Sequence, residues 1–338
     1  MKKTLLLLFI GLVSIGLSAC RKENTFDGPS INEINSKFAI LEPFKVDKAT
    51  ADFETGNAIF TARFNKIVSW KITIKGSISK ATKIISGESK VIDASNATWN
   101  GSTTLFPLFK TENCTATLLI ASENDSASTT ISISKTKLLP TGPRMIANFE
   151  NGLDPKWTKY FQSGASMECM VKADNFAPEG TKYLNMGGTV NWDWLIGLVD
   201  FNANAYNNNV TFPFSTNPEN EYFNVLIYGD PDPKTNMTKA LFQFKEDENS
   251  DGTFDATKED EYDYIIDVNW IGWRLVSVKY SSLVNLVDGN PVSPKGNKLH
   301  NPDKIGKISF LQLADPNLGF ARCKIDLISF TQNKALDL

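Results

Sequence analysis

An acidic segment in the second half of the chain has the composition and spacing of a calcium-binding loop. Hard oxygen ligands at alternate positions wrap one calcium ion, and Gly252 at the sixth position permits the sharp turn between them. Lys258 stands at the twelfth position, where a bidentate glutamate is expected, so Glu259, Asp260 or Glu261 must replace it. The alternative is an acidic loop that contacts only water. The predicted ligands are Asp247, Asn249, Asp251, Thr253, Asp255 and Glu259.

Tryptophan is concentrated in the same half of the chain. The apolar face of a sugar ring packs on an indole while neighbouring amides and carboxylates bond the hydroxyls. Trp192 and Trp194 are two residues apart, which places them on one face of a strand. The alternative is that one or both fill the core. The residues predicted to bind carbohydrate are Trp192, Trp194, Trp157, Trp270, Tyr206 and Asp193.

Residues for nucleophilic catalysis are sparse. The single histidine, His300, lies in a loop without an evident serine elbow or cysteine partner, so a histidine-based triad is poorly supported. Paired carboxylates for glycoside cleavage stay open, because their separation cannot be read from sequence. Cys114, Cys169 and Cys323 lack the spacing of a metal knuckle. Two states of these cysteines are compatible with the sequence. One has a disulfide between Cys169 and Cys323, and the other has three buried free thiols.

The first residues predict export. Lys2 and Lys3 precede an apolar run over residues 5–17 that is too short for a comfortable membrane span, as in a secretory signal. Leu17-Ser18-Ala19-Cys20 resembles a lipobox, which implies acylation of Cys20, a mature chain that begins there and membrane contact through the lipid alone. The alternative is an ordinary signal with an incidental cysteine. The following residues 21–24 resemble the signals that send lipoproteins of Bacteroidetes to the outer face of the outer membrane.

Loss of residues 1–19 removes two lysines and no acid. The mature chain then has 33 basic and 38 acidic residues, a net charge of −5, which does not favour nucleic acid. Short segments with period-two alternation run through the rest, and no amphipathic helix of useful length interrupts them. We therefore expect an all-β protein with an N-terminal immunoglobulin-like β-sandwich and a larger jelly-roll β-sandwich. The predicted divisions are a signal (1–19), a stalk (20–36), a spacer domain (37–138), a linker (139–143) and a second domain (144–338).

Three segments of the second domain resemble the opening, middle and closing strands of jelly-roll carbohydrate-binding modules. They are Asn148-Phe149-Glu150-Asn151-Gly152, then residues 272–278, then residues 325–330. With the lipobox and the spacer, the chain resembles surface glycan-binding lipoproteins that are encoded beside outer-membrane glycan importers in Bacteroidetes. The resemblance implies a polysaccharide ligand such as a β-linked glucan or hemicellulose, the importer as partner, and a second calcium between Glu150 and Asp326. The alternative classes are a scaffolding subunit of the importer, whose tryptophans dock a protein, and a glycoside hydrolase.

Overall fold

The computed structural model describes residues 37–164, 166–174, 176–189, 194–230, 232, 238–314 and 320–338. Strands dominate these residues, and the helices among them are single 3₁₀ turns. In the described part of the chain, no helix has the length and hydropathy of a membrane span. The all-β class and the β-sandwich architecture predicted from sequence are confirmed. Cys20 and the predicted signal and stalk lie outside the described residues.

The first domain folds seven strands over one core. Its strands are β1 (Ile40–Val46), β2 (Thr50–Asp52), β3 (Ala58–Gly76), β4 (Thr82–Ile92), β5 (Thr98–Trp99), β6 (Asn113–Ile120) and β7 (Asp125–Lys135). Strand β1 pairs with the first half of the long strand β3 and β6 with the second half, while β4 pairs with both halves across a register shift between Arg63 and Val68. Trp99 is fully buried and meets Phe53 and Phe109 edge-on, at ring-centroid distances of 4.6 and 4.9 Å. This tryptophan therefore closes the core of the domain.

The second domain packs two antiparallel sheets on one core. The six-stranded sheet contains β8 (Met145–Ala147), β10 (Glu168–Ala173), β11 (Lys182–Gly188), β13 (Glu221–Gly229), β16 (Gly272–Lys279) and β20 (Ala321–Gln332). The five-stranded sheet has the order β15 (Glu261–Asp267), β14 (Lys239–Glu246), β19 (Ile305–Leu313), β12 (Leu195–Asn202) and β9 (Thr158–Phe161). A separate hairpin joins β17 (Asn285–Val287) to β18 (Asn290–Val292).

Phenylalanine fills the space between the two sheets. Phe242, Phe244 and Phe310 point inward from the five-stranded sheet, and Phe223 and Phe330 meet them from the other. Since side chains alternate along a strand, the residues between these phenylalanines must face outward. That alternation builds the exposed surface on which the site lies.

The C-terminal residues of the second domain also contact the first domain. Leu338 is 9% exposed and packs in an apolar cluster that includes Leu108 of the first domain. Asp337 accepts a hydrogen bond from Asn100 at 2.9 Å and pairs with Lys137. The last residues of the chain therefore contact both the first domain and the segment that links the domains.

Candidate functional site

The outer face of the five-stranded sheet carries an apolar strip. Residues paired across antiparallel strands line up side by side, so one row of pairs crosses the whole sheet. The row consists of Tyr160, Leu198, Leu311, Leu241 and Ile265. None of the five is buried, and Tyr160 at the edge is 46% exposed. The strip thus offers an apolar surface to a ligand across five strands.

A polar row runs directly beside the apolar strip. Its members are Thr158, Asp200, Ser309, Gln243 and Asp263. The Ser309 hydroxyl donates to Oδ1 of Asp200 at 2.6 Å, and the Thr158 hydroxyl donates to Oδ2 at 3.1 Å. Lys307 lies 3.5 Å from the same carboxylate, and Lys245 donates to the Ser309 hydroxyl at 3.3 Å. These bonds fix donors and acceptors beside the strip.

A cavity of about 520 Å³ opens at the end of the sheet that holds the two lysines. Its walls come from two loops and from the strand ends. One loop follows β12 and contributes Asn204, Asn208 and Asn209, and the other follows β14 and contributes Thr253 and Phe254. Lys245 lies 5.9 Å from the centre of the Phe254 ring. Amide groups and one aromatic ring therefore share the cavity, a combination that suits a hydroxyl-rich ligand.

Trp194 lies at the opposite end of the same sheet. It immediately precedes β12, and its carbonyl accepts the N–H of Ala314 at 2.8 Å, just past β19. The side chain is 45% exposed, and Phe161 on the edge strand β9 is 40% exposed. Trp192 and Asp193 lie outside the described residues, so the predicted pairing of the two tryptophans on one face stays a prediction.

Three other sequence-predicted residues lie elsewhere. Trp157 is half-buried, with its indole edge-on to the core ring of Phe201 at 5.0 Å. Trp270 is only 9% exposed, and the guanidinium of Arg274 lies 4.4 Å from the centre of its ring. Both positions fit packing roles. Tyr206 is half-buried, and its hydroxyl lies near Gly142 in the segment between the domains. Its asparagine neighbours, rather than its ring, reach the cavity.

The outer face of the six-stranded sheet carries a cluster of aromatic residues. Trp273 lies 5.4 Å from Tyr228, centre to centre, and Phe176 packs edge-on to Tyr228 at 4.6 Å. Lys324 lies over the Tyr228 ring at 4.4 Å. Part of this face is covered, because Trp273 also packs in the apolar cluster between the domains. Trp273 belongs to neither the main core nor the open strip.

The loop predicted to bind calcium is closed by its own hydrogen bonds. The carboxylate of Asp247 accepts the N–H groups of Asp251 at 3.1 Å and Gly252 at 2.7 Å. Glu259 is 4% exposed and accepts the N–H of Asp255 at 2.7 Å. Asn249, Asp251 and Asp255 each accept the N–H of the residue two positions on, while Thr253 lines the cavity. The assignment of calcium to these residues stays a prediction.

The two residues named for a second calcium lie near a third acid. Glu150 accepts the N–H groups of Thr181 and Lys182, both at 2.7 Å. Asp326 is fully buried, and its Oδ2 has no hydrogen-bond partner. Oε2 of Glu179 is likewise buried and has no hydrogen-bond partner. Burial, with the nearby charge of Glu150, raises the pKa of Glu179 to about 7. Buried carboxylate oxygens without donors fit a hard cation.

Neither the histidine nor the cysteines form a reactive group. His300 stacks on Tyr262 at 3.9 Å between ring centres, and its Nε2 lies 2.9 Å from the carbonyl oxygen of Leu283. Cys114, Cys169 and Cys323 are buried free thiols. Burial raises the pKa of Cys323 to about 12, which keeps the thiol protonated. Of the two alternatives left open by the sequence, the structure has the three buried thiols.

No protein-family model and no curated protein matches the chain. Among solved structures, the family 11 carbohydrate-binding module of Clostridium thermocellum, in complex with a β-1,3-1,4-mixed-linked tetrasaccharide, is 16% identical with a TM-score of 0.36, covering 58% of this chain and 97% of that one. SGBP-B from a complex xyloglucan utilization locus in Bacteroides uniformis is 14% identical with a TM-score of 0.33, covering 87% of this chain and 73% of that one. At TM-scores below 0.5, these likenesses assign neither a family nor a ligand to this chain.

The fold and the exposed face define the class of protein. The chain is an all-β protein with two β-sandwich domains, and the second sandwich leaves one sheet face open. That face combines an apolar strip, a polar row and a cavity lined by amides.

Proposed function

We propose that this chain is a non-catalytic surface lipoprotein that binds polysaccharide and holds it for an outer-membrane glycan uptake system. The observation that carries the proposal is the pairing of the apolar strip with the polar row on the outer face of the five-stranded sheet. A pyranose ring has an apolar face of C–H groups and a rim of hydroxyls. The apolar face of the ring can therefore pack on Tyr160 and Leu198 while residues of the polar row form hydrogen bonds with the hydroxyls.

The shape of the face favours a long glycan over a single sugar. Five strands spaced about 4.8 Å apart make the face roughly 20 Å wide. Such a surface accommodates several sugar units, and the cavity beside Phe254 receives one end or a branch of the chain. A β-linked glucan or hemicellulose is our preferred ligand, in line with the resemblance found in the sequence.

The N-terminal segment supports the placement at the surface. Several acyl chains on Cys20 together hold a protein firmly to a membrane, because each buried methylene contributes about 0.8 kcal/mol. Many tethered copies on one surface act together on one polymer, so modest affinity at each site is enough. The importer would then receive a glycan that is already concentrated at the membrane.

Calcium is the cofactor that we propose for this function. Glu150 and Asp326 would hold one ion beside strands β11 and β20, near the buried Glu179, where it would neutralise buried charge. The loop ligands Asp247 to Glu259 remain the sequence-based proposal for another ion. In both places, the role of calcium would be to hold loops and strand ends in place.

Affinity electrophoresis tests the function. The chain from residue 21 is run in native gels cast with plant, algal and fungal polysaccharides, beside Tyr160→Ala and Trp194→Ala. The control is Phe176→Ala, whose ring packs on Tyr228 at the outer face of the six-stranded sheet. We expect one glycan to reduce the mobility of the wild type and of the control. The reduction in mobility should be at least fivefold smaller for Tyr160→Ala and for Trp194→Ala.

Other outcomes would redirect the proposal. Loss of retardation only in Phe176→Ala would move the binding face to the six-stranded sheet. Failure of every polysaccharide to retard the wild type would favour the scaffolding role, in which the exposed aromatic residues dock a protein. Release of reducing sugars from the bound glycan would instead indicate a glycoside hydrolase.

A further inference from the structure

Three carboxylates converge where the acidic hairpin begins and ends. Glu246 is the last residue of β14, Glu248 follows it in the loop, and Asp260 immediately precedes β15. One oxygen of each lies within 4.8 Å of an oxygen of the other two. In the described residues, this is the single group of three metal-ligating side chains that meets this distance. The ligand set predicted from the sequence contains none of the three, although Asp260 is one of the candidates for the twelfth position of the motif.

Glu246 supplies an independent indication that a ligand belongs here. Its side chain is fully buried, yet only Oε1 has donors, namely the Tyr280 hydroxyl at 2.8 Å and the Asn301 N–H at 2.7 Å. Oε2 is buried and has no hydrogen-bond partner. A buried carboxylate oxygen without a donor destabilises the folded state if it stays charged and unpaired. A cation at the cluster would remove that cost.

The charges around the cluster are unbalanced. Within the described part of the chain, no lysine, arginine or histidine nitrogen lies within 4.0 Å of these three carboxylates. Their hydrogen-bond donors are neutral N–H and O–H groups. Gly296 and Lys298 donate backbone N–H groups to the two oxygens of Asp260, both at 2.6 Å, and Asn297 donates its own to Glu248 at 3.1 Å. Three acids therefore share one position without a basic side chain.

We propose that Glu246, Glu248 and Asp260 together bind one hard divalent cation, with calcium as the probe. Oxygen-only donors select calcium or magnesium over the transition metals that prefer nitrogen and sulfur. The backbone N–H groups of residues 296–298 orient two of the carboxylates and leave their remaining lone pairs for the ion. The flexible coordination of calcium tolerates three carboxylates completed by water.

The position of the site gives it a structural effect. It joins both ends of the hairpin 246–260 to the segment 296–301. The same hairpin carries Thr253 and Phe254, which form a wall of the cavity. An ion at the cluster would therefore fix that wall. The proposal does not depend on whether the cavity binds a glycan.

Calcium titration with a local readout tests the site. The wild-type chain from residue 21, Glu248→Gln and the control Asp251→Asn are titrated with calcium by calorimetry, and hydrogen exchange is followed in residues 246–260 and 296–301. Glu248 is chosen because it is only half-buried, so its amide is tolerated. We expect calcium to slow exchange of both segments in the wild type and the control. In Glu248→Gln, we expect the affinity to fall at least tenfold and the protection to disappear.

The control separates this site from the loop motif. Asp251 is a ligand of the sequence-based motif but not of the proposed cluster. Loss of protection in Asp251→Asn with retention in Glu248→Gln would overturn the proposal in favour of the loop ligands. Equal protection in all three proteins would also overturn the proposal. Absence of protection in the wild type would overturn it as well, because the acids would then share a proton instead of an ion. Protection of residues 179–182 alone would report an ion at Asp326 and refute the site at Glu246.

Discussion

The carboxylate of Asp200 on β12 accepts a hydrogen bond from the hydroxyl of Ser309, its paired residue on β19, at 2.6 Å. Thr158 donates to the other carboxylate oxygen from β9 at 3.1 Å. Asp200 thus ties three strands together on the open face of the second domain. It also lies beside the apolar strip, two residues along β12 from Leu198.

Replacement of Asp200 by alanine should abolish most glycan binding. The variant removes an acceptor for sugar hydroxyls and frees Ser309 and Lys307 to move. We expect at least tenfold weaker binding, which corresponds to about 1.4 kcal/mol. Calorimetry with the glycan found by electrophoresis measures the effect, with Asp52→Asn in the first domain as the control. Unchanged affinity in Asp200→Ala would place the ligand away from the polar row.

Truncation of Phe254 should weaken binding of long glycans more than short ones. The ring forms a wall of the cavity at one end of the sheet, beyond the apolar strip. We expect Phe254→Ala to lose about fivefold in affinity for the polymer and little for the shortest oligosaccharide that binds. Asn208→Ala, from the facing wall, should behave in the same way. Equal losses for short and long ligands would argue against a cavity at the end of the binding face.

Replacement of Asp326 by asparagine should have opposite effects on thermal stability without and with calcium. Burial raises the pKa of Asp326 well above its ordinary value, so the carboxylate is costly without an ion. In a chelator, we expect Asp326→Asn to melt at or above the wild-type temperature. With calcium in excess, the wild type should become the more stable protein. Thermal melts with and without calcium measure the reversal, and its absence would remove the ion from this position.

Asp263 should make the protein less stable as the pH rises. Burial, with the charge of Glu261, raises its pKa to about 7 in the folded chain, against 3.8 for an unperturbed aspartate. The folded state therefore binds more protons than the unfolded state between about pH 4 and 7. The contribution of Asp263 is fully present below pH 4 and is lost as the pH approaches 7.

Urea unfolding of the wild type and Asp263→Asn at several pH values checks this prediction. The difference in free energy of unfolding between the two proteins should move in favour of the variant as the pH rises from 4 to 7. It should then stay constant above pH 7. A difference that moves the other way would mean that a donor stabilises the ionised carboxylate.

Removal of residues 336–338 should loosen the two domains. Burial of a leucine side chain contributes about 1.5 to 3 kcal/mol, and Leu338 is buried at the contact between the domains. We expect the truncated chain to be cleaved in residues 136–144 severalfold faster by a nonspecific protease. Asp337→Asn, which keeps Leu338, should show a smaller increase. Identical cleavage rates would mean that the linker and the contacts of Leu108 suffice.

The all-β class was readable from the chain because it is a local property. Alternation of apolar and polar residues with period two is imposed by the strand itself, as in residues 239–246, where each second side chain is buried. The Asp247 loop could also be located, since its turns depend on residues a few positions apart. The predicted export signal rests on the order of residues 1–20 alone.

The binding face could not be read in this way, because it depends on which strands become neighbours. Tyr160, Leu198 and Leu311 form one strip only after β9, β12 and β19 pair in register. Nothing local distinguishes Trp270, which is buried, from Trp194, which is exposed. Likewise, Glu246 and Asp260 are fourteen residues apart and meet through pairing of β14 with β15. Sequence determined the local conformations and their chemistry, while long-range packing decided which groups share a surface.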